Sequence, residues 1–234
     1  MGNAVGLILL ILLAAVAVTA ALISLRSRQL LAIERLRASL AADLHDHIGA
    51  GLTEIAILSE IAAQRAGAPV PELGRVADTA RQLVDKMNEI VWLVNPRRDS
   101  LHELFLRLKD SYADLFASSG ILFRASNLSL FEGVHLPMEL RENLYLIFKE
   151  ALHNALRHSG CGEIELKVEL RGRRLAVTLT DDGRGFDPAG RSGGNGLANM
   201  RERAARIGGK LAIESPLDPA SGHGTAVRFT GPLG

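Results

Sequence analysis

Apolar and polar positions divide the chain into three stretches of different character. In the first, from Ala4 to Leu25, no residue is charged, and only Thr19 and Ser24 carry polar side chains. A helix of that length measures about 33 Å at about 1.5 Å per residue, enough to cross a hydrocarbon core of about 30 Å. The pattern therefore predicts a membrane-spanning helix.

A cleaved signal peptide is the alternative for this segment, since Val18-Thr19-Ala20 loosely resembles a cleavage site. No basic residue precedes the apolar run, and the run is long for a signal-peptide core, so the sequence favours an anchor. Arg26 and Arg28 follow directly, which places the C-terminal side in the cytoplasm. We expect residues 1–28 to form a single-pass anchor in the inner (plasma) membrane, with cytoplasmic catalytic domains and no extracellular sensor domain.

The second stretch repeats apolar residues at helical spacing. One long helix is predicted from Gln29 to Ala66, because the following Gly67–Pro71 cannot sustain it. A second helix ends at Asn95-Pro96, and its apolar spacings of three and four are those of a heptad seam. Such a pair leaves its seam partly uncovered, so residues 29–97 are predicted to form an all-α, dimeric four-helix bundle. The apolar positions are Leu30, Ile33, Leu36, Leu40, Leu44, Ile48, Ile55 and Ala62 in the first helix, and Leu73, Val76, Ala80, Leu83, Met87, Ile90 and Val94 in the second.

The third stretch, residues 98–234, mixes helical and alternating segments. It predicts an α+β sandwich, in which helices cover one face of a mixed sheet. The predicted helices are Leu101–Ser118, with Leu104, Leu108, Tyr112 and Leu115 as its apolar face, Met138–His158 and Leu197–Ile207. The predicted strands are Ile121–Phe123, Glu163–Leu170, Leu175–Thr180, Lys210–Ser215 and Thr225–Thr230.

Composition removes several classes of protein. Cys161 is the single cysteine and has no cluster of His or Cys at metal-ligand spacing, which excludes a disulfide scaffold and a zinc module. A net charge of +1 gives no general attraction to nucleic acid, and 4% aromatic residues are too few for a single-strand stacking platform.

His45 and Asp46 are the first candidates for chemistry. Leu44 and Ile48 belong to the apolar stripe, so an α-helical His45 is displaced from it by about 100° and faces outward. Asp46 can hydrogen-bond one ring nitrogen and raise the nucleophilicity of the other. A solvated helix face with incidental ionisable residues is the alternative, and this segment alone does not exclude it.

Three later segments suit a bound nucleotide. Asn154 lies one helical turn after Glu150, where its amide oxygen could ligate Mg²⁺ beside phosphates. Asp181 follows a strand, where it could accept a hydrogen bond from an exocyclic amine, and the glycines after it allow close approach of a ligand. A glycine-rich segment then opens a helix whose free N–H groups suit phosphate. The segments are Glu150-Ala-Leu-His-Asn154, Asp181-Asp182-Gly183-Arg184-Gly185 and Gly193-Gly194-Asn195-Gly196-Leu197. Each also fits an ordinary polar helix end, tight turn or hinge, but their order is much rarer.

In this order the motifs resemble the sensor histidine kinases of two-component systems, in the subfamily related to the nitrate sensor kinases. The resemblance runs from about Glu34 to the C-terminus. It implies a dimerisation and histidine-phosphotransfer domain followed by an ATP-binding domain of the gyrase/Hsp90/histidine-kinase/MutL fold. It also implies ATP and Mg²⁺ as cofactors, a homodimer, and a response regulator receiver domain with a helix-turn-helix output as partner. The chain itself is not expected to bind nucleic acid.

The resemblance also implies roles for single residues. His45 matches the phosphoacceptor, Asp46 its adjacent acid and general base, and Asn154 the Mg²⁺-binding asparagine. The other implied nucleotide-binding positions are Glu150, which matches the water-activating acid of the ATPase branches, His158, the adenine-reading Asp181, the following Gly183 and Gly185, the lid residues Gly194, Gly196 and Leu197, and Thr225 beside the adenine aspartate.

The predicted function is ATP-dependent autophosphorylation of His45 and transfer of the phosphoryl group to a regulator aspartate. Two alternatives remain: a membrane-anchored scaffold that binds nucleotide without transfer, and an ATPase or protein-serine kinase of the same fold. One position departs from the family pattern, because Ala50 stands where related kinases often have a glutamine that orients water for dephosphorylating the regulator. A methyl group cannot hold that water, so we expect weak phosphatase activity.

Overall fold

The computed structural model describes residues 2–66, 70–95, 99–126, 128–187, 195–217 and 222–233 of the chain. Contacts between Cα atoms divide the chain into two compact units, Met1–Pro96 and Arg97–Gly234. Among the described residues, helices alone form the regular structure of the first unit, and the five-stranded sheet belongs to the second.

Three helical segments of the first unit follow one another without a break. Helix α1 spans Gly2–Asp43, a π-helical stretch that we call the first π segment spans Leu44–Gly49, and helix α2 spans Ala50–Arg65. Helix α3, Pro71–Val94, packs against all three of them. The predicted helix end at Ala66 is close, but the sequence pattern missed the π segment, whose backbone closes i→i+5 hydrogen bonds.

The heptad seam of α3 separates into two sets of side chains. Ala80 and Met87 are buried within the first unit, at 4% and 7% exposure, whereas the positions between and around them are 44% to 53% exposed. Two further exposed apolar residues, seven positions apart, lie in the first π segment and in α2. We call these two residues and the exposed set of α3 together the exposed stripe. It comprises Val76, Leu83 and Ile90 of α3, Ile48 of the first π segment and Ile55 of α2.

The N-terminal part of α1 is the one candidate for a membrane span among the described residues. The window Leu12–Gln29 has a mean hydropathy of 1.2. This finding concerns length and composition alone, and a signal sequence meets the same criterion. The anchor in residues 1–28 therefore stays a prediction.

The second unit contains a five-stranded sheet of order β1-β2-β3-β5-β4. Strands β1 and β2 run parallel, and the other neighbouring pairs run antiparallel. In chain order the elements are α4 (Leu101–Ser119), β1 (Leu122–Ala125), a 3₁₀ helix (Leu128–Phe131), α5 (Met138–Asn154), a second π segment (Ala155–Ser159), β2 (Glu163–Arg171), β3 (Arg174–Asp181), α6 (Gly196–Arg206), β4 (Lys210–Glu214) and β5 (Thr225–Pro232).

Burial alternates along the strands, so one face of the sheet carries the core. In β3, Leu175, Val177 and Leu179 are buried, and the residues between them are partly exposed. Helices α4 and α5 contact each other above the core, where Phe105 and Phe148 meet edge to face with ring centroids 5.8 Å apart. The predicted sandwich, with helices on one face of a mixed sheet, is confirmed.

Helix α4 has clear start and stop signals. Its N-cap Ser100 accepts a hydrogen bond from the backbone N–H of Glu103 at 3.1 Å, and Gly120 ends it in the left-handed conformation, with φ 69°. Leu115, an apolar position of the predicted helix, is 52% exposed and does not share the burial of Leu104, Leu108 and Tyr112. Phe116 is buried instead and stacks on Phe123 with ring centroids 5.1 Å apart. It lies four residues after Tyr112, the helical interval that continues the buried face.

Candidate functional site

A cavity of about 490 Å³ in the second unit lies between α5 with the second π segment, the β3–β5 pair and the start of α6. The nucleotide-binding residues predicted from the sequence cluster around it. Those that line the cavity are Glu150, Asn154, His158, Asp181, Gly185, Gly196, Leu197 and Thr225. Gly183 lies beside it without lining it, and Gly194 lies outside the described residues.

Asp181 and Thr225 form one wall of the cavity. They are the last residue of β3 and the first of β5, and they stand directly opposite each other in the antiparallel register. Such a pair points to the same face of a sheet, with Cβ atoms about 4.5–5.5 Å apart. Burial raises the pKa of the Asp181 carboxyl. The hydrogen bond from the Gly183 N–H, at 3.0 Å, opposes this shift, and the charge of Asp182 adds to it.

The two glycines after Asp181 have different surroundings. A Cβ on Gly183 would lie 2.5 Å from Cβ and 2.7 Å from the carbonyl oxygen of Ser159, so the glycine lets this loop pack on the second π segment. Gly185 has φ 64°, and its Cβ would lie 2.9 Å from the carbonyl oxygen of Gly222. Arg184 between them donates from its backbone N–H to Ser159, at 3.0 Å. Close packing of protein on protein, as well as access for a ligand, thus requires glycine here.

Glu150 and Asn154 lie one turn apart on α5, and their side chains are in contact. Nδ2 of Asn154 donates to Oε1 of Glu150 at 3.3 Å. A carboxylate can only accept hydrogen bonds, so it selects the Nδ2 end of the amide and leaves Oδ1 of Asn154 for another partner. Gly196, at the start of α6, lies so close that a Cβ there would collide with the Glu150 carboxylate. Amide and carboxylate oxygens are ligands that Mg²⁺ accepts, so these residues fit the metal that the resemblance implies.

Sequence reasoning missed the apolar wall of the cavity and Ser215. Leu179, Met200, Ile213 and Val227 line the cavity with Phe186, and together they give it an apolar wall of the kind that small-molecule sites have. Ser215 follows β4 and bonds to two segments that line the cavity, through Phe186 and Thr225. The apolar positions look like ordinary strand and helix residues in the sequence, and Ser215 is separated along the chain from most of the other site residues.

His45 and Asp46 belong to the first unit, where the first π segment carries both. Their side chains are not among those described. The outward direction predicted for His45 assumed α-helical spacing, which does not hold in a π segment. Gly49 ends this segment against α3, where a Cβ would lie 2.6 Å from Cε of Met87. The segment that carries the predicted phosphoacceptor is therefore packed closely on α3 at its C-terminal end.

Comparison with protein families identifies both units. A family model described as histidine kinase matches residues 36–99. A second one, described as histidine kinase-, DNA gyrase B- and HSP90-like ATPase, matches residues 139–234. The second match contains every residue that lines the cavity.

Two curated relatives match over most of the chain. The signal transduction histidine-protein kinase/phosphatase UhpB of Salmonella typhimurium is 27% identical over 209 residues, 85% of this chain and 39% of its own length. The sensor histidine kinase MctS of Rhizobium johnstonii is 29% identical over 195 residues, 78% of this chain and 41% of its own. The chain thus spans about two fifths of the length of these relatives.

Solved structures show the same fold. Full-length ShkA in complex with AMPPNP aligns with 85% of this chain and 46% of its own, with a TM-score of 0.52 at 15% identity. The Acinetobacter baumannii histidine kinase AdeS aligns with 78% of this chain and 95% of its own, with a TM-score of 0.50 at 12% identity.

Fold and cavity together define a nucleotide-binding domain of the histidine-kinase and gyrase type, preceded by a helical histidine-kinase domain. The two domain matches and the two named histidine kinases confirm the resemblance noted in the motifs, to the sensor histidine kinases of the branch related to the nitrate sensor kinases.

Proposed function

We propose that this protein is an ATP-dependent kinase that phosphorylates its own His45 and passes the phosphoryl group to an aspartate of a response regulator. The observation that carries the proposal is the cavity of the second unit, where Asp181, Thr225 and Asn154 converge although they are far apart in the sequence. Membership of the histidine kinase family supports the same activity.

In this proposal different residues of the cavity bind the base, the metal ion and the phosphates of the nucleotide. The base lies against the apolar wall, and its exocyclic amine donates a hydrogen bond to Asp181. Asn154, held by Glu150, would present Oδ1 to a Mg²⁺ ion, and a bound Mg²⁺ would supply positive charge against the phosphates. Gly196 and Leu197 start α6 with free backbone N–H groups that suit the phosphates.

The chemical step is an in-line displacement. One ring nitrogen of neutral His45 attacks the γ-phosphorus, and the bond from that phosphorus to the β–γ bridging oxygen breaks, so ADP leaves with the electron pair. Asp46 takes the proton from the other ring nitrogen as general base. In the second transfer a carboxylate oxygen of the regulator attacks the same phosphorus. The phosphorus–nitrogen bond then breaks, and the imidazole recovers its proton.

The assembly that we propose is a homodimer anchored in the inner membrane. The exposed stripe supports the dimer, because a second copy of the α2–α3 pair would cover its apolar side chains. The apolar start of α1 supports the anchor. UhpB is named a kinase/phosphatase, and for this chain we propose a kinase with weak phosphatase activity, because Ala50 offers no hydrogen bond to water.

Labelled ATP tests the proposal on the full chain in lipid nanodiscs. The parent should incorporate γ-phosphate in a form that is labile to acid and stable to alkali, whereas His45→Gln should incorporate none and keep the ATP affinity of the parent. In Asn154→Asp the acceptor His45 is unchanged, but Mg²⁺-dependent binding of ATP should be weakened, so phosphorylation should fall.

Other results would contradict the proposal. An acid-stable phosphoprotein would indicate a serine kinase, and ATP binding without label in the parent would indicate a scaffold. Loss of ATP affinity in His45→Gln would contradict the assignment of acceptor and nucleotide site to separate domains.

A further inference from the structure

Arg184 links two segments that line the nucleotide cavity. It belongs to the loop that follows β3, and it donates two hydrogen bonds to the end of the second π segment. Its backbone N–H donates to the carbonyl oxygen of Ser159 at 3.0 Å, and its Nε donates to that of His158 at 2.8 Å. All three residues line the cavity. One residue therefore fastens the loop after Asp181 to the helical run that begins with α5.

The acceptors are the last two carbonyl groups of the second π segment. Gly160 follows them with φ 63°, and the helical run stops there. The final carbonyl groups of a helix have no donor within the helix, and they carry its partial negative charge. A guanidinium group is a permanent cation whose N–H donors lie in a fixed plane, so Arg184 supplies such a carbonyl with a charge-assisted hydrogen bond.

The side-chain bond of Arg184 can be removed by itself. Its backbone bond to Ser159 does not depend on the side chain at position 184, and the close packing on Ser159 needs only the absent side chain of Gly183. Arg184 is exposed, so replacing it leaves no cavity in the core. A substitution at this position should therefore loosen the loop without unfolding the unit.

The two segments that Arg184 joins carry different contacts of the proposed nucleotide. Asp181 begins the loop, and Asn154 lies on the helical run directly before the second π segment. We infer that Arg184 is a positioning residue, which holds the loop after Asp181 at a fixed distance from the helix that carries Asn154, so that both contact one nucleotide. The inference rests on the proposed function, because it takes a nucleotide as the ligand of this cavity.

A direct contact between Arg184 and the phosphates is the rival explanation. Among the residues that the structure describes, Arg184 is the only lysine or arginine that lines the cavity. A direct contact would favour ATP over ADP, because ATP carries one more phosphate. Positioning orders the site before any ligand binds, so it favours ATP and ADP by the same factor.

Calorimetry on the full chain would give the dissociation constants of ATP and ADP. Arg184→Met removes the charge and the donor, and it should weaken both nucleotides equally, by about three- to tenfold, the net value of one hydrogen bond. Arg174→Met is the matched control, because it removes an exposed arginine at the start of β3, outside the cavity, and should bind both nucleotides like the parent. A larger loss for ATP than for ADP would indicate a phosphate contact and overturn the inference.

Hydrogen exchange of the ligand-free chain tests the positioning itself. The backbone amides of residues 183–186 should exchange several-fold faster in Arg184→Met than in the parent, because the bond to Ser159 opens more often. In Arg184→Ala, guanidinium ions far below the concentration that unfolds the protein should restore slow exchange and ATP affinity. Potassium ions at the same concentration should restore neither.

Arg184→Lys keeps a charged donor and serves as the test if Arg184→Met does not fold. It should lie closer to the parent in exchange and in affinity than Arg184→Ala. Equal losses in the lysine and alanine variants would show that the donor does not matter, and parent-like exchange and affinity in Arg184→Met would likewise overturn the inference while leaving the proposed function intact. A parent that binds neither nucleotide would instead contradict the proposed function, and hydrogen exchange would still decide whether Arg184 fastens the loop.

Discussion

Asp181 and Asp182 are adjacent in the chain, but their side chains have different partners. Asp182 accepts hydrogen bonds from the backbone N–H groups of Gly162 and Glu163, at 2.8 and 2.9 Å, and so ties the end of β3 to the start of β2. Asp181 turns to the cavity wall instead. Asp181 is the last residue of β3 and Asp182 lies beyond the strand, so neighbours in the sequence serve different segments.

Asp181→Asn should separate stability from ligand binding. The raised pKa means that the fold disfavours the Asp181 carboxylate relative to the neutral acid. Its contribution to stability is therefore complete below the ordinary value of 3.8 and is lost as the pH rises through the higher folded pKa. Asparagine stays neutral and can still accept from Gly183, so the apo variant should melt above the parent at pH 7 and bind ATP more weakly.

Melting temperatures of the parent and of Asp181→Asn, measured from acid to neutral pH, check the direction of this pH dependence. The gain in melting temperature should be absent below about pH 3.8, grow as the parent carboxyl ionises, and level off above its folded pKa. Asp182→Asn is the matched control, because Asp182 has its backbone partners outside the cavity. A variant at position 181 that melts below the parent at pH 7 would contradict the prediction.

Among single residues, the sequence identified the polar residues that line the cavity better than the residues that support them from outside it. Glu150 and Asn154 were predictable because helical spacing brings them together, and Asp181 because a strand ends there. Ser215 was not, since only the β4–β5 pairing brings it to Thr225. The purpose of Gly183 was also beyond sequence reasoning, because its close neighbour, Ser159, belongs to another segment.

Among the elements, α3 has an apolar seam that serves two surfaces. Ala80 and Met87 of the seam are buried within the chain, and the seam positions Val76, Leu83 and Ile90 form part of the exposed stripe. A heptad pattern alone does not show which apolar side chains are buried within the chain and which are left for a partner. It gives the spacing of the side chains and not what covers them.

Leu83→Glu tests whether a second copy covers the stripe. Leu83 is 45% exposed in the single chain, so glutamate costs the isolated fold little. In a dimer two carboxylates would be buried in the apolar seam, at a cost of at least about 3 kcal/mol, and dimerisation should weaken about a hundredfold or more. Sedimentation of the full chain in detergent would measure this change.

The neighbouring Gln82→Glu adds the same charge off the stripe, at an exposed position, and should leave the dimer intact. ATP affinity should be unchanged in both variants, because the cavity belongs to the other unit. If Leu83→Glu remained as dimeric as Gln82→Glu, the exposed stripe would not be the dimer surface.

Element bounds were predictable to within a few residues, but the two π segments were not. The first interrupts, and the second ends, a helix that the apolar period predicted as continuous. The first ends at Gly49 against Met87, and the second packs at Ser159 against Gly183. In both places a glycine contact between distant segments accompanies the altered helix, and such contacts leave no periodic signal in the sequence.

For the whole molecule, the change from helical to mixed patterns near residue 98 lies close to the boundary between the two compact units. The segment proposed to carry the phosphoacceptor and the cavity therefore belong to different units. The proposed weak phosphatase activity concerns the surface around the first π segment, where Ala50 begins α2.

Ala50→Gln should raise phosphatase activity, because it supplies the hydrogen-bonding group that this surface lacks at the position four residues after Asp46. Ala50 is exposed and borders a groove of about 590 Å³ with Thr53 and Glu54, so a longer side chain has room there. A glutamine amide can both donate to and accept from water, and it could hold the water for attack on the regulator's phosphoaspartate.

The assay adds the protein and ADP to purified phosphorylated regulator and follows the loss of phosphate. The parent should be slow and Ala50→Gln about tenfold faster, with autophosphorylation of His45 unchanged. Ala62→Gln is the matched control, since it places the same side chain at another exposed position of α2. Rapid dephosphorylation by the parent, equal in both variants, would show that the reaction uses another group, and Ala50 would then carry no meaning for the direction of phosphate flow.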